Sequence, residues 1–188
     1  MILASNSPRR KQLLQEAGYE FKSASLQIEE DYPLDIALEE VAKYLAEKKN
    51  DAYRTLFKDE VIVTADTTVI CGQMLLEKAS TTKAATEMLK SLSGNMHQVI
   101  SGVCVSKGSK LRSFSVTTDV HFANLSAEEI DYYISKFSPF DKAGAYGIQE
   151  WIGMIGIQKI VGSYYNVVGI PLFELYRVLK EDFGVIPR

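Results

Sequence analysis

Two cysteines in 188 residues, Cys71 and Cys104, are too few for the disulfide framework of a small secreted protein, and each lies in an apolar or β-rich stretch. They read as reduced, partly buried thiols. Long hydrophobic runs are missing as well: no apolar stretch approaches the ~20 residues that a membrane span needs. No N-terminal run resembles a signal peptide, so the cytoplasm is the expected compartment and no membrane is expected as a partner. Nor is there a basic excess. A formal net charge of −3 argues against a general nucleic-acid binder, although a small anionic ligand needs only a few local cations. Histidine is scarce. His97 and His121 sit in strand-like contexts without a partner at metal-ligand spacing, which argues against a zinc or iron centre and leaves both as structural histidines. The Gly-x-Ser-x-Gly elbow, the Walker A loop and the Gly-x-Gly-x-x-Gly fingerprint are absent too.

What remains is an ordinary globular composition, without internal repeats or low-complexity linkers, long enough to bury a core without staples. A single domain over residues 1–188 is expected. Ile2-Leu3-Ala4 is a short strand; Ser7 then caps a helix with Pro8 at its first position, where a missing N–H costs nothing, and Gly18 ends it. Tyr19 to Ser25 reads as a strand. Leu34, Leu38, Val41, Ala42 and Leu45 recur at helical spacing and predict a helix from Leu34 to about Tyr53. Val61 to Ala65 is a β-branched strand with Asp66 at its end; Thr68 to Ile70 continues extended to a turn at Gly72. A helix from Thr81 or Thr82 stops at Gly94. His97 to Val105 and Leu111 to Phe122 form a hairpin around Lys107-Gly108-Ser109-Lys110. Ser126-Ala127-Glu128-Glu129 has the form of a capping box, opening a helix to about Phe137. Gly144 to Gly156 reads as a loop and short strand, and a last helix runs from Pro171 to before Gly184. The class is mixed α/β, and a purely parallel doubly wound sheet does not fit.

Ser5-Asn6-Ser7-Pro8-Arg9-Arg10 is the most informative segment. Hydroxyl residues follow a strand, free N–H groups at a helix start favour an anion, and the arginines supply fork-shaped donors for phosphate oxygens. An ordinary capped helix with two solvated arginines reads the same way. Asp66, at a strand end, suits a hard metal or a proton-accepting role; a turn aspartate would look identical. Glu29, Glu30 and Asp31 are either a solvated loop or a second source of metal ligand. Lys48, Lys49 and Lys78 are available to neutralise phosphate. In Ala143-Gly144-Ala145-Tyr146-Gly147-Ile148-Gln149 the glycines allow close backbone approach, and Gln149 offers an amide donor and acceptor.

Together these segments resemble the Maf family of nucleotide pyrophosphatases, related in fold to the inosine-triphosphate pyrophosphatases. Leu3 to Arg10 is similar to the family's opening signature and Ala65-Asp66-Thr67 to its central motif. Leu92-Ser93-Gly94 with His97-Gln98-Val99 follows, then Asp141 to Gln149. Gly162-Ser163-Tyr164 with Val167 to Leu172 completes a series that keeps the family's order through nearly the whole chain.

The resemblance implies an elongated mixed sheet flanked by helices. It implies hydrolysis of a nucleoside triphosphate between the α and β phosphorus atoms, with Mg²⁺ or Mn²⁺ and in a homodimer. It assigns Asp66 as proton acceptor and Glu30, with Asp66, as metal holder. Ser5, Ser7, Arg9, Arg10, Lys49 and Lys78 are assigned to phosphate, and Arg9, Thr67 and Gln149 to substrate choice. Gln149 in Tyr-Gly-Ile-Gln resembles the branch acting on dTTP and UTP, with modified pyrimidine triphosphates as further candidates. Two rivals remain: the same reaction on 7-methyl-GTP, and a nucleotide-binding regulator of septum formation that hydrolyses little. Ala79 stands where the family usually has proline, Asn95-Met96 replaces a commoner Lys-Thr or Lys-Ser pair, and Glu150-Trp151 stands where glycine is usual.

Overall fold

The computed structural model describes residues 1–188, which group into two compact units. The first comprises residues 1–67, 101–116 and 169–188; the second, 68–100 and 117–168. Seven strands hydrogen-bond into one mixed sheet. They are β1 (Ile2–Ala4), β2 (Lys22–Ala24), β3 (Ile62–Cys71), β4 (Met74–Leu76), β5 (Met96–Lys107), β6 (Lys110–Phe122) and β7 (Ile157–Val161). Their order is β2-β1-β3-β5-β6-β7, with β4 paired to β3. The pairs β1–β2 and β1–β3 are parallel, whereas β3–β4 and β6–β7 are antiparallel. The mixed α/β expectation holds. The expected strand at residues 19–25 shrinks to three residues.

In the first unit, β1 leads into α1 (Pro8–Glu16), capped by the Ser7 hydroxyl as the Ser-Pro order dictates. α2 (Val41–Arg54) buries Val41, Ala42, Leu45 and Ala46 along one face. The expected start at Leu34 is wrong. Leu34 is fully exposed, and a 3-10 turn at Leu38–Glu40 precedes the helix, whose buried stripe begins only at Val41. Asn50, fully buried on α2, gives its amide to Thr64 Oγ1 at 3.3 Å and to the Cys104 carbonyl at 3.2 Å, and accepts from Ser106 at 2.6 Å. That polar knot fixes α2 on β3 and β5. α7 (Leu172–Phe183) closes the unit and ends at Gly184 in the left-handed region.

In the second unit, α3 (Thr82–Leu92) packs on α4 (Ala127–Phe137), and the core holds Leu89, Leu92, Ile130 and Tyr133. Both halves of the capping box at Ser126 and Glu129 form. Residues 151–156 are a helix, α5 (Trp151–Gly156), where a loop and strand were expected. Its Gly153 lies against the Ile148 backbone, where any Cβ would clash, so this glycine serves close packing in a helix. The short α6 (Tyr164–Val168) follows β7. Both cysteines are buried and free, and burial pushes the Cys104 thiol up to about 12. No helix is long and apolar enough to cross a membrane.

Candidate active site

The first unit gathers most of the residues singled out by sequence. Asp66 and Thr67 are the two half-buried positions in an otherwise buried β3. The strand does not stop at Asp66 but continues to Cys71, so the carboxylate stands mid-strand and not at a strand end. What presents it is its partner. Lys49 reaches from α2 to put Nζ 2.5 Å from Asp66 Oδ1 and 2.7 Å from Glu30 Oε1. The Lys49 and Asp66 side chains are only 15% and 13% exposed, while Glu30 keeps 48%, so the pair is sheltered and opens outward past Glu30. The preceding lysine repeats the pattern. Lys48 pairs with the Asp31 carboxylate and bonds its carbonyl at 3.2 Å, so consecutive lysines hold consecutive acids of the 25–37 segment. The Lys48 bond keeps the Asp31 carboxyl below its ordinary range.

Two carboxylates aimed at one cationic point are a donor set that fits Mg²⁺ or Mn²⁺. Such an ion takes one or two protein carboxylates and completes its shell from phosphate and water. No cluster of three or more His, Cys, Asp or Glu side chains is placed to hold an ion by protein ligands alone.

The Ser5 to Arg10 segment is more self-contained than its sequence implies. The Ser7 N–H donates to Ser5 Oγ at 3.2 Å, Pro8 has no N–H, and the Arg10 N–H donates to Ser7 Oγ at 3.4 Å. Much of the helix-start donor set is therefore used internally, which leaves side-chain charge and hydroxyl oxygens as the main means of holding an anion. Arg10 differs most from expectation. Its Nε donates to the Gly169 carbonyl at 2.8 Å, Nη1 to the Ala65 carbonyl at 2.8 Å and Nη2 to Thr67 Oγ1 at 2.9 Å. Burial lowers the proton affinity of its guanidinium, partly offset by the nearby Asp66 charge. Thr67 Oγ1 also lies 2.9 Å from Ser101 Oγ and 3.3 Å from the Gly169 carbonyl. Ser101 and Gly169 thus join the site's surroundings. Nothing in the β-rich stretch around Ser101 signals this, whereas Gly169 stands inside one of the family-like strings.

Lys78 and Gln149 belong to the second unit. Lys78 is exposed and forms a backbone bridge with Ala143; Ala79, where proline was expected, is buried. Gln149 is an exposed turn residue between buried Ile148 and Glu150. The Glu150 charge is not loose beside it. Glu150 pairs with Lys142 Nζ at 3.0 Å and accepts from the Tyr133 hydroxyl, which in turn takes the Gly147 N–H at 2.9 Å. His97 is buried and stacked on Phe122, with Nε2 2.7 Å from the Tyr146 hydroxyl. It is a core residue of the second unit.

Residues 1–182 match the family described as Maf-like protein. The chain belongs to the Maf family. Maf relatives named dTTP/UTP pyrophosphatase include that of Phocaeicola vulgatus, 51% identical over 183 residues, covering 96% of this chain and 95% of its own. That of Porphyromonas gingivalis is 48% identical over 188 residues, 98% of this chain and 94% of its own. That of Bacteroides thetaiotaomicron is 47% identical, at 96% and 95%. The structure of the Staphylococcus aureus Ham1 protein overlaps 82% of this Maf chain and 89% of its own, at 15% identity and a TM-score of 0.48.

Proposed function

We propose that this Maf protein hydrolyses dTTP and UTP between the α and β phosphorus atoms, releasing the monophosphate and pyrophosphate and so clearing nucleotide pools. The observation that carries the reading is the convergence of Glu30 and Asp66 on Lys49, sheltered in a chain of this family. A sheltered carboxylate beside a lysine can hold and accept the proton of an attacking water. Arg9 and Lys49 neutralise charge as it builds on the leaving pyrophosphate, and the Ser5 and Ser7 hydroxyls orient the phosphates. Mg²⁺ or Mn²⁺, held by Glu30 and Asp66, supplies charge neutralisation at the phosphate oxygens when bound. For Lys78, Thr67 and Gln149 the roles of phosphate neutralisation and base choice rest on the family pattern alone, as does the homodimer, while the cytoplasmic location rests on the sequence reading.

Asp66→Asn tests the reading. It keeps the size of the side chain and removes the base, so dTTP turnover should fall by about a thousandfold or more. Turnover near wild type would remove Asp66 from the chemistry.

A further inference from the structure

We infer that Arg10 is a positioning residue that holds Asp66 in place, and not a phosphate ligand. The inference rests on the role proposed for Asp66 above. Three of the five N–H groups of the Arg10 side chain donate to the protein itself. Two of the three acceptors, the Ala65 carbonyl and Thr67 Oγ1, belong to the residues on either side of Asp66. A planar fork that grips positions 65 and 67 sets the strand direction at 66, and so the point from which the carboxylate leaves the backbone. The third acceptor, the Gly169 carbonyl, brings the segment before α7 to the same guanidinium.

The knot closes on itself. Thr67 Oγ1 takes the Arg10 N–H and lies within hydrogen-bond distance of Ser101 Oγ and the Gly169 carbonyl. One hydroxyl has a single donor and two acceptor positions, so these partners use its whole capacity. Gly169 has φ +132°, a region that favours glycine, and this lets its carbonyl serve both Arg10 and Thr67. Turning Arg10 outward to a phosphate would take a donor from the Ala65 carbonyl and leave the Gly169 carbonyl with the longer Thr67 bond, a cost that a substrate would have to offset on every turnover. Arg10 also stands in the first turn of α1, the helix capped by Ser7. It therefore ties the start of that helix to the two neighbours of Asp66. Arg9 is left as the arginine of the pair for the anion.

A lysine cannot copy this grip, because one ammonium has no rigid fork to reach three separated acceptors. The test compares wild type with Arg10→Lys, which keeps the charge. Three quantities are read: amide hydrogen exchange in residues 62–71, the Kd of pyrophosphate with Mg²⁺ by calorimetry, and kcat and KM for dTTP. Positioning predicts exchange about tenfold faster in that segment, with pyrophosphate Kd and the dTTP KM within about threefold of wild type. It predicts a kcat about a hundredfold lower, the scale of a small misplacement of a reacting group. Thr67→Val, nearly isosteric, should show the same pattern at about tenfold in kcat, and carries the test if Arg10→Lys does not fold. Unchanged exchange at 62–71 in both variants overturns the inference. So does a pyrophosphate Kd weakened more than about tenfold in Arg10→Lys with exchange unchanged, the result expected of a phosphate ligand. Exchange and pyrophosphate binding need no turnover. A wild type that leaves dTTP and UTP intact therefore contradicts the proposed activity without deciding the role of Arg10.

Discussion

Lys49 Nζ lies 2.5 Å from Asp66 Oδ1, and the same ammonium lies 2.7 Å from Glu30 Oε1. One cation thus gathers a strand residue and a loop residue around a helix side chain. The helix is fixed for this by the neighbouring Asn50, whose amide bonds reach Thr64, two residues before Asp66. The local charge balance of the site depends on this lysine.

Lys49→Met leaves two carboxylates facing each other across a sheltered gap. dTTP turnover should drop by about a hundredfold or more in a steady-state pyrophosphate assay. The melting temperature of the variant should rise more than that of wild type when Mg²⁺ or Mn²⁺ is added, because an ion that binds the folded state stabilises it. Equal shifts in the two proteins would remove Glu30 and Asp66 as the metal-holding pair.

Glu150→Ala removes the carboxylate that joins Lys142 to Tyr133. Lys142 is buried, and its other ion-pair partner is exposed Asp141, at 2.8 Å. Loss of that buried pairing should cost about 1–3 kcal/mol in urea unfolding. Glu150→Gln, which retains hydrogen bonds, should cost less. Equal losses in the two variants would show that packing alone matters there.

Burial, with a smaller contribution from His121, lowers the His97 imidazole from 6.5 to about 4. Between those values the unfolded chain takes up a proton that the folded chain refuses, so this contribution is whole above about pH 6.5 and is lost as the pH falls toward 4. The loss attributable to His97 should approach about 3 kcal/mol by pH 4. His97→Gln will be less stable at pH 7 but should lose less on going to pH 5. Parallel stability curves for the two proteins would contradict the account.

The sequence was legible where local chemistry decides structure. Ser7 with Pro8 marks a helix start whatever follows, and Ser126 with Glu129 marks another; both caps form as written. It misled where tertiary contacts decide. Asp is a poor strand former, so Asp66 reads as an end, yet β3 runs through it and Lys49 from α2 supplies the charge that lets it stay half-buried. Leu34 continues a helical spacing without belonging to the buried face, because nothing packs over it. Gly153 reads as loop, but the approach of the Ile148 backbone makes it a packing residue of α5.

The candidate site divides in the same way. Asp66, Glu30 and Lys49 are far apart in the chain, and the family's order of motifs singled out Glu30 and Lys49 from their neighbours; the structure brings both carboxylates within hydrogen-bond distance of Lys49. That Arg10 turns inward was not legible. Its acceptors at Ala65, Thr67 and Gly169 lie far along the chain, and only the fold brings them to the guanidinium. Ser101 lacked any signal at all, since its contact to Thr67 is made by the fold.

Pyrophosphate release from dTTP and UTP can be read in one competition assay. The wild-type protein with Mg²⁺ is given dTTP, UTP and 7-methyl-GTP together, and monophosphates and pyrophosphate are quantified over time. dTMP and UMP should appear with equimolar pyrophosphate, and 7-methyl-GTP should stay largely untouched. Preferential turnover of 7-methyl-GTP, or tight nucleotide binding without pyrophosphate release, would contradict the proposed activity.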